Sequence, residues 1–274
     1  MISIIVVTHD RKVLLQQCIQ SLLMQDFHGS YEIIVVDNAS TDGTGDYIKS
    51  VFSGGIKYLR NRCRRDLALC KEQAIQSALG DVIAFTDDDC VVAPGWFENI
   101  RESMQAHDIV GGIVLPLGSV AFPGWWRHSM EWIVGINSNP GMNFLPLGSN
   151  VAFRRNIFKS LDATPYHPCI GPYGEDNVRL RISLQAGFKL VINKNMIVYH
   201  HITADRLKFS YFVRRSYTEG QCLATREPIF YVFLLMILAL LINPFRFFLT
   251  WDMNRLFRMC VNMGYIVTYL QIRR

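Results

Sequence analysis

The sequence predicts an α/β fold built around a doubly wound sheet, and three observations lead to this prediction. Three apolar runs rich in β-branched residues, "ISIIVVT" at 2–8, "YEIIVVD" at 31–37 and "DVIAFTD" at 81–87, are typical of strands buried on both faces of a parallel sheet. Helical patterns lie between these runs, so strand and helix alternate over the first 115 residues. Half of the 274 residues are hydrophobic, which supplies ample core for one large domain.

The remaining elements are predicted from local patterns of the same kind. "RKVLLQQCIQSLLMQ" predicts the first helix, because Leu14, Cys18 and Leu22 recur at helical spacing, and "LALCKEQAIQSAL" predicts another in the same way. "IKYLRN" and "DIVGGIVLPL" predict strands, and "PGWFENIRESMQ" predicts a helix between them. "LPLGSNVAFRRNIF" reads as a strand that leads into a helix, and "GEDNVRLRISLQAG" as a further helix. "FKLVINKNMIVYHH" predicts one or two short strands, and "RLKFSYFVRRSYTEGQCLAT" a basic amphipathic helix.

The tail of the chain differs from the rest in charge and hydropathy. From Arg206 to the end there are ten lysines or arginines against three acidic residues, within a net charge of +5 for the whole chain. The apolar stretches "IFYVFLLMILALLI" and "LFRMCVNMGYIVTYL" are each shorter than the ~20 residues that a spanning helix needs. We therefore expect a boundary at residue 205, with domains at 1–205 and 206–274. The second domain would consist of the basic amphipathic helix and an apolar helical hairpin, bound peripherally or monotopically to an anionic membrane surface. A buried hairpin or a homo-oligomer interface is the alternative.

The cysteines and the N-terminus indicate a reducing compartment. The seven cysteines are scattered and form no CxxC pair, as expected of reduced thiols in the cytosol. "MISIIVVTHD" reads directly as a strand and lacks the basic and cleavage regions of a signal peptide. We therefore expect the protein at the cytoplasmic face of the cell membrane. No zinc-finger spacing or aromatic RNA-binding motif occurs, so nucleic acid is not an expected partner.

Three adjacent carboxylates follow the third apolar run, in "FTDDDC" at 85–90. Ligands bind doubly wound sheets outside the carboxyl ends of the strands, and residues i and i+2 of an extended chain point to one side. Asp87 and Asp89 are thus expected to reach one Mg²⁺ or Mn²⁺ ion together, with Asp88 facing elsewhere, since these ions prefer hard oxygen ligands. Such an ion usually binds substrate phosphates as well, which predicts a diphosphate ligand. An acidic turn or a helix N-cap region is the alternative.

Polar groups also stand at the ends of the first two predicted strands. Thr8 ends "ISIIVVT" and Asp37 ends "YEIIVVD". Together with the acidic run they would line a cleft of nucleotide size, in which Asp37 accepts from a ribose hydroxyl or a base N–H and Thr8 contacts the base. For Asp37 the alternative is a local turn within "DNASTDG".

Five segments between residue 2 and about residue 200 keep one order along the chain: "SIIVVTHDR", "IIVVDNASTDGT", "GDVIAFTDDDC…PGWF", "LPLGSNVAFRR" and "GEDNVRLRISLQAG". Together they resemble the family 2 glycosyltransferases. The resemblance implies a GT-A nucleotide-binding domain with a mixed central sheet, and it places the family's DXD metal motif on Asp87–Asp88–Asp89. Lys71 occupies the place of an arginine that the family usually carries, and Glu72 stands where asparagine is common.

The resemblance also implies a general base and a metal-ligating histidine. The family's "ED" motif matches Glu175–Asp176, and we expect Asp176 to act as the base, with Glu175 as the alternative. A carboxylate within reach can take the proton of a sugar hydroxyl as it attacks, and the family reacts by one direct displacement with inversion. His200 matches a histidine that often completes the metal site, with His201 as the second choice. An acidic pair favoured by a helix N-terminus and a structural histidine are the alternatives.

The sequence thus predicts a metal-dependent inverting glycosyltransferase that adds a single sugar to a lipid-linked or other membrane-bound glycan. No Arg-Trp dipeptide occurs, so the QxxRW motif of processive synthases is absent. A UDP-sugar is the favoured donor, with GDP or dTDP as alternatives. A nucleotidyltransferase and a non-catalytic membrane scaffold are the competing hypotheses, and the first would normally carry a glycine-rich phosphate loop, which "VVTHDRK" lacks. The predicted nucleotide-binding residues are Thr8, Asp37, Lys71, Asp87 and Asp88, and the predicted metal ligands are Asp87, Asp89 and His200.

Overall fold

The computed structural model describes most of the chain. The described residues are 1–51, 55–138, 145–160, 175–226 and 253–272, with isolated positions between 237 and 244. Side chains at 175–177, at 223–226 and at a few positions of the last helix lie outside this description. The apolar stretch predicted at 229–242 lies almost entirely outside it as well.

The described strands all belong to one mixed sheet. In chain order they are β1 (Ile2–Thr8), β2 (Tyr31–Asp37), β3 (Ile56–Arg60), β4 (Val82–Phe85), β5 (Cys90–Val92), β6 (Ile109–Pro116), β7 (Val151–Arg154) and β8 (Leu190–His200). Their order across the sheet is β3-β2-β1-β4-β7-β6-β8-β5. β1 to β4 pair in parallel, whereas β7 is antiparallel to β4 and β6, and β5 is antiparallel to β8. The predicted mixed α/β sheet is confirmed, and "FKLVINKNMIVYHH" forms one long strand.

Most of the described helices alternate with the strands along the chain, and the last two come after the final strand. In chain order they are α1 (Lys12–Leu23), α2 (Thr44–Val51), α3 (Leu67–Ser77), α4 (Trp96–Ser103), α5 (Arg155–Ser160), α6 (Glu175–Gln185), α7 (Phe209–Arg226) and α8 (Met253–Ile272), with 3-10 helices at His128–Val134 and Ala204–Leu207. The sequence patterns did not predict α2 or the three-residue strand β5.

Apolar clusters cover both faces of the sheet. Successive side chains of β1 point to opposite faces, so Ile4 packs with the α1 and α4 side chains of one cluster. Ile5 packs with side chains of α3, α5 and α6 in the other. This is the doubly wound arrangement, and it leaves the carboxyl ends of the adjacent parallel strands β2, β1 and β4 side by side at one edge.

A buried asparagine fixes the position of β8 in the sheet. Asn150 is fully buried; its Nδ2 donates to the carbonyls of Ile113 at 2.8 Å and Met196 at 2.9 Å, and its Oδ1 accepts from Trp96 Nε1 at 2.9 Å. It thereby satisfies backbone groups beside the β6–β8 irregularity between Gly111 and Ile113. A Cβ at Gly112 would lie 2.0 Å from the Met196 carbonyl oxygen, so only glycine fits there.

Internal contacts divide the chain into two compact units. The first comprises Met1–Gly118, Ile136–Pro165 and Arg179–His201, and the second comprises Ser119–Gly135, Tyr166–Val178 and Ile202–Arg274. The first unit contains the whole sheet. The functional boundary expected at residue 205 stays a prediction.

Within the second unit, α7 and α8 pack with their backbones in contact. A Cβ on Gly220 would lie 1.8 Å from the Val261 carbonyl oxygen, and one on Gly264 would lie 2.0 Å from that of Tyr217. Two glycines thus permit the crossing. The predicted basic amphipathic helix and the second apolar stretch form α7 and α8, whereas the first apolar stretch of the predicted hairpin lies almost entirely outside the described residues. None of the helices among the described residues has both the length and the hydropathy needed to cross a bilayer.

Candidate active site

The acidic run forms a tight turn between β4 and β5. The Cys90 N–H donates to the Asp87 carbonyl at 3.1 Å, so the chain is turned here, not extended. The expectation that Asp87 and Asp89 face one side and Asp88 another therefore does not hold in this form. Asp88 and Asp89 are both buried and Asp87 is half-buried, and Asp88 and Asp89 share a partner, Arg11, whose Nη1 lies 2.9 Å from Asp88 Oδ1 and 3.1 Å from Asp89 Oδ2.

The short strand β5 brings the predicted histidine to this turn. Cys90 pairs with His200 in the antiparallel β5–β8 ladder, and cross-strand partners lie on the same face. His200 Nε2 lies 3.2 Å from Asp89 Oδ1, and both side chains are buried. The His201 N–H donates to the Asp89 carbonyl at 2.8 Å, so the second histidine contacts the turn through its backbone.

These side chains fit a divalent cation. Among the described residues, Asp89, Cys90 and His200 form a group whose ligand atoms all lie within 4.8 Å of one another. Burial raises the pKa of the Cys90 thiol, and the charges of Asp87 and Asp89 raise it further, so the carboxylate and the imidazole are the better ligands for Mg²⁺ or Mn²⁺. The predicted ligands Asp89 and His200 are thus together, whereas Asp87 is not part of this group and its role as a ligand stays a prediction.

The site carries an excess of buried negative charge. Burial raises the pKa of Asp88 to about 6, and the charge of Asp89 adds to this effect, although Arg11 acts in the opposite direction. Burial and the neighbouring charge both disfavour the ionised state of two adjacent carboxyl groups. A cation of higher charge than a guanidinium would therefore stabilise this turn, which agrees with the metal prediction.

Thr8 and Asp37 lie at the neighbouring strand ends, as predicted, but Asp37 has protein partners. Its Oδ1 accepts from the Ser40 N–H at 2.7 Å, its Oδ2 accepts from the Tyr58 hydroxyl, and the residue is fully buried. The Ser40 contact corresponds to the local-turn alternative, whereas the Tyr58 contact joins the end of β2 to β3. The Thr8 carbonyl accepts from the Asn38 N–H at 2.8 Å, which joins the ends of β1 and β2. That either residue contacts a nucleotide stays a prediction.

Lys71 and Glu72 lie on α3, behind the acidic turn. Lys71 is buried, and its Nζ lies 5.4 Å from the ring centre of Phe85, the last residue of β4. Glu72 Oε2 lies 3.2 Å from Arg179 Nη2 on α6. Glutamate at position 72, where the family commonly has asparagine, therefore ties α3 to α6. Arg179 lies about one helical turn after the predicted base, because α6 begins at Glu175.

The acidic pair that contains the predicted general base, Glu175–Asp176, lies in the first turn of α6, but its side chains are outside the described residues.

Sequence reasoning missed Arg11 and Cys90 as members of the site. Arg11 gave a signal, since it is a basic residue that follows the first strand at the same sheet edge as three carboxylates. Cys90 gave none, because its contact with His200 depends on the pairing of β5 with a strand that ends 110 residues later.

The sequence profile of glycosyl transferase family 2 matches residues 3–162. The chain is 26% identical over 239 residues to a glucosyl-dolichyl phosphate glucuronosyltransferase of Haloferax volcanii, over 80% of this chain and 75% of that protein. It is also 25% identical over 194 residues to an N-acetylglucosaminyltransferase of Azorhizobium caulinodans, over 64% of this chain and 48% of that protein.

Solved structures show the same fold. A mannosyltransferase of Pyrobaculum calidifontis, in complex with GDP-Man and Mn²⁺, matches with a TM-score of 0.61 at 16% identity, over 82% of this chain and 63% of that one. S. aureus TarS in complex with UDP-GlcNAc matches with a TM-score of 0.57 at 15% identity, over 80% of this chain and 66% of that one. The chain thus spans less than two thirds of several of its relatives.

Proposed function

Since the chain belongs to glycosyl transferase family 2 and has the GT-A fold, we propose that it transfers a single sugar from a nucleotide-sugar donor, with a divalent metal ion as cofactor. The acceptor in this proposal is a lipid-linked or other membrane-associated glycan. The observation that carries the proposal is the contact of Asp89 with His200, beside the buried Asp88, at the carboxyl edge of the sheet. Family membership identifies a glycosyltransferase and so disfavours both a nucleotidyltransferase and a scaffold.

The proposed metal ligands are Asp89 and His200, with Asp87 as the further ligand. A bound Mn²⁺ or Mg²⁺ would neutralise the charge that the diphosphate gains as it leaves. Two structures of this fold support a nucleotide-sugar donor, one containing GDP-Man with Mn²⁺ and the other UDP-GlcNAc. We favour a UDP-sugar, with GDP and dTDP donors as alternatives, and assign Thr8, Asp37, Lys71, Asp87 and Asp88 to nucleotide binding.

The proposed general base is Asp176, with Glu175 as the alternative. A carboxylate oxygen takes the proton of the acceptor hydroxyl while the hydroxyl oxygen bonds to the anomeric carbon. The nucleoside diphosphate leaves with the electron pair of the broken bond, and the configuration inverts. The ion pair between Glu72 and Arg179 would hold the start of α6 in place for this step.

Donor binding and hydrolysis test this function directly. We expect one of the UDP-, GDP- or dTDP-sugars to raise the melting temperature in the presence of Mn²⁺, since a ligand at 100 times its Kd stabilises by about 2.7 kcal/mol. The same donor should be hydrolysed slowly with Mn²⁺ and not in EDTA. Turnover that is equal in EDTA would contradict metal dependence. Release of pyrophosphate from nucleoside triphosphates, without turnover of any nucleotide sugar, would favour the nucleotidyltransferase hypothesis.

The second unit is proposed to lie on an anionic surface at the cytoplasmic face of the membrane. Met263, Val267 and Leu270 recur at helical spacing on α8 and are 52%, 36% and 49% exposed, so they form an apolar stripe on one face. Arg214 is exposed on α7 of the same unit, and a basic group near an anionic surface contributes ~1 kcal/mol. The Haloferax relative, named for glucosyl-dolichyl phosphate, supports an acceptor on lipid.

Glutamate at the three stripe positions, Met263, Val267 and Leu270, is expected to release the protein from liposomes that contain phosphatidylglycerol. Each large apolar side chain contributes roughly 1.5–3 kcal/mol on burial, so the partition coefficient should fall by at least ~100-fold in a flotation assay. The matched control places glutamate at three exposed apolar positions of the first unit, Val13, Leu69 and Leu79. If the unmodified protein stays in solution and forms oligomers that the stripe variant does not form, α8 is an interface between subunits.

A further inference from the structure

Arg11 contacts both buried aspartates of the acidic turn through one nitrogen atom. Its Nη1 lies 2.9 Å from Asp88 Oδ1 and 3.1 Å from Asp89 Oδ2. The Arg11 side chain is 43% exposed, whereas each carboxylate is 5% exposed. The guanidinium therefore lies on the solvent side of these carboxylates, the side from which a soluble ligand arrives.

The backbone that carries Arg11 is held in place, so the side chain is the part that can move. The Thr41 N–H donates to Asp10 Oδ1 at 2.6 Å, and the Lys12 N–H donates to Asp42 Oδ2 at 2.8 Å. Both neighbours of Arg11 are thus tied to the loop that follows β2. The guanidinium can reach a new partner only by rotation about its own side-chain bonds.

The charges around Arg11, Asp89 and His200 determine which partner Arg11 takes when ligands bind. Asp89 presents Oδ1 to His200 and Oδ2 to Arg11, so a divalent ion on Asp89 would lie close to a second cation. Two like charges close together in a low-dielectric site repel strongly. A nucleoside diphosphate adds negative charge beside both cations, and the planar guanidinium matches phosphate oxygens well.

We propose that Arg11 is an internal cation that competes with the divalent ion for Asp89 in the donor-free protein and pairs with the donor diphosphate once both ligands are bound. The inference rests on the proposed function and assigns Arg11 as a donor-binding residue that makes metal binding depend on the donor. Metal and nucleotide then bind with positive coupling, and each raises the affinity of the other by the same factor.

Manganese binding to the donor-free protein tests this role without any turnover measurement. Free Mn²⁺ is quantified by electron paramagnetic resonance for the unmodified protein and for Arg11→Gln, Arg11→Lys and Arg101→Gln, each with and without UDP, GDP or dTDP. Arg101 is the matched control, because it is exposed and pairs with Glu98 on α4. We expect Arg11→Gln to bind Mn²⁺ without nucleotide at least ~10-fold more tightly. Its coupling should fall below that of the unmodified protein by about the same factor, and the part that comes from direct attraction between metal and diphosphate should remain. Arg11→Lys keeps the positive charge, so its affinity for Mn²⁺ without nucleotide should stay close to that of the unmodified protein.

The outcomes separate this inference from the proposed function. If the unmodified protein binds Mn²⁺ with a nucleotide but Arg11→Gln leaves both the donor-free affinity and the coupling unchanged, the role of Arg11 is overturned and metal-dependent transfer stands. If the unmodified protein binds no Mn²⁺ with any of the three nucleotides, the metal site itself is wrong, and the inference is wrong with it. Melting curves of each variant confirm that the folded state is compared. If Arg11→Gln does not fold, Arg11→Met provides the test, because it also removes the positive charge but keeps an unbranched apolar stem.

Discussion

Replacement of Asp89 by alanine is expected to abolish sugar transfer, with a loss of roughly 10³-fold or more in kcat/KM. Asp89 is the carboxylate that contacts both Arg11 and His200. Alanine would remove a proposed metal ligand, so the diphosphate would lose its counter-charge both on binding and on departure. The measurement is donor turnover at saturating Mn²⁺, together with calorimetric titration of Mn²⁺ in the presence of the nucleoside diphosphate.

The matched control for this variant is Asp26→Ala, because the Asp26 side chain is 95% exposed. That control should retain the turnover of the unmodified protein. Asp89→Asn keeps the size of the side chain and should lose nearly as much as alanine, since a neutral amide is a poor substitute for a carboxylate on a hard cation. An Asp89→Ala protein that transfers sugar at the unmodified rate in EDTA would show that the metal assignment is wrong.

Replacement of Asp176 by asparagine is expected to lower kcat by roughly 10²–10⁴-fold. The amide keeps the shape of the side chain but cannot accept the proton of the acceptor hydroxyl. The Kd of the donor should stay unchanged, because the proposed step involves the acceptor. Steady-state kinetics with varied donor, combined with equilibrium binding of the donor, provide the two readouts.

Glu175→Gln is the matched comparison, since it neutralises the neighbouring carboxylate in the first turn of α6. A large loss of kcat in Glu175→Gln with little change in Asp176→Asn would assign the base to Glu175. An equal loss of donor affinity in Asp176→Asn would instead show that Asp176 holds the nucleotide or the fold.

The sequence predicted the part of the fold that depends on local patterns. β1, β2 and β4 are apolar runs buried on both faces, and such runs are visible in the sequence without knowledge of their partners. Because these three strands are parallel, their carboxyl ends meet at one edge of the sheet, and this predicts that Thr8, Asp37 and the acidic run lie together there. The helices α7 and α8 were predicted in the same way, one from its basic amphipathic pattern and the other from its apolar stretch.

The contacts that complete the site depend on pairings between distant residues. β5 has three residues, too few for a periodic signal, yet its pairing with β8 places His200 beside Asp89. His200 was predicted as a metal ligand only through a family resemblance. Arg11 bridges Asp88 and Asp89 because the acidic segment forms a turn. The prediction that Asp88 faces away from Asp89 assumed that this segment is extended like a strand. Local patterns likewise could not decide whether Asp37 contacts a nucleotide or is held by neighbouring protein groups.

The position of β8 has a consequence for the synthesis of the protein. β8 is the last strand of the sheet in chain order and lies between β6 and β5. Until residue 200 has left the ribosome, the apolar strand β6 has an open edge and β5 lacks its partner. Such edges favour aggregation, and at ~5–20 residues per second this interval lasts on the order of ten seconds. Nascent chains that stall before β8 are therefore expected to be prone to aggregation, and a chain in which His200 contacts Asp89 has already added β8 to its sheet.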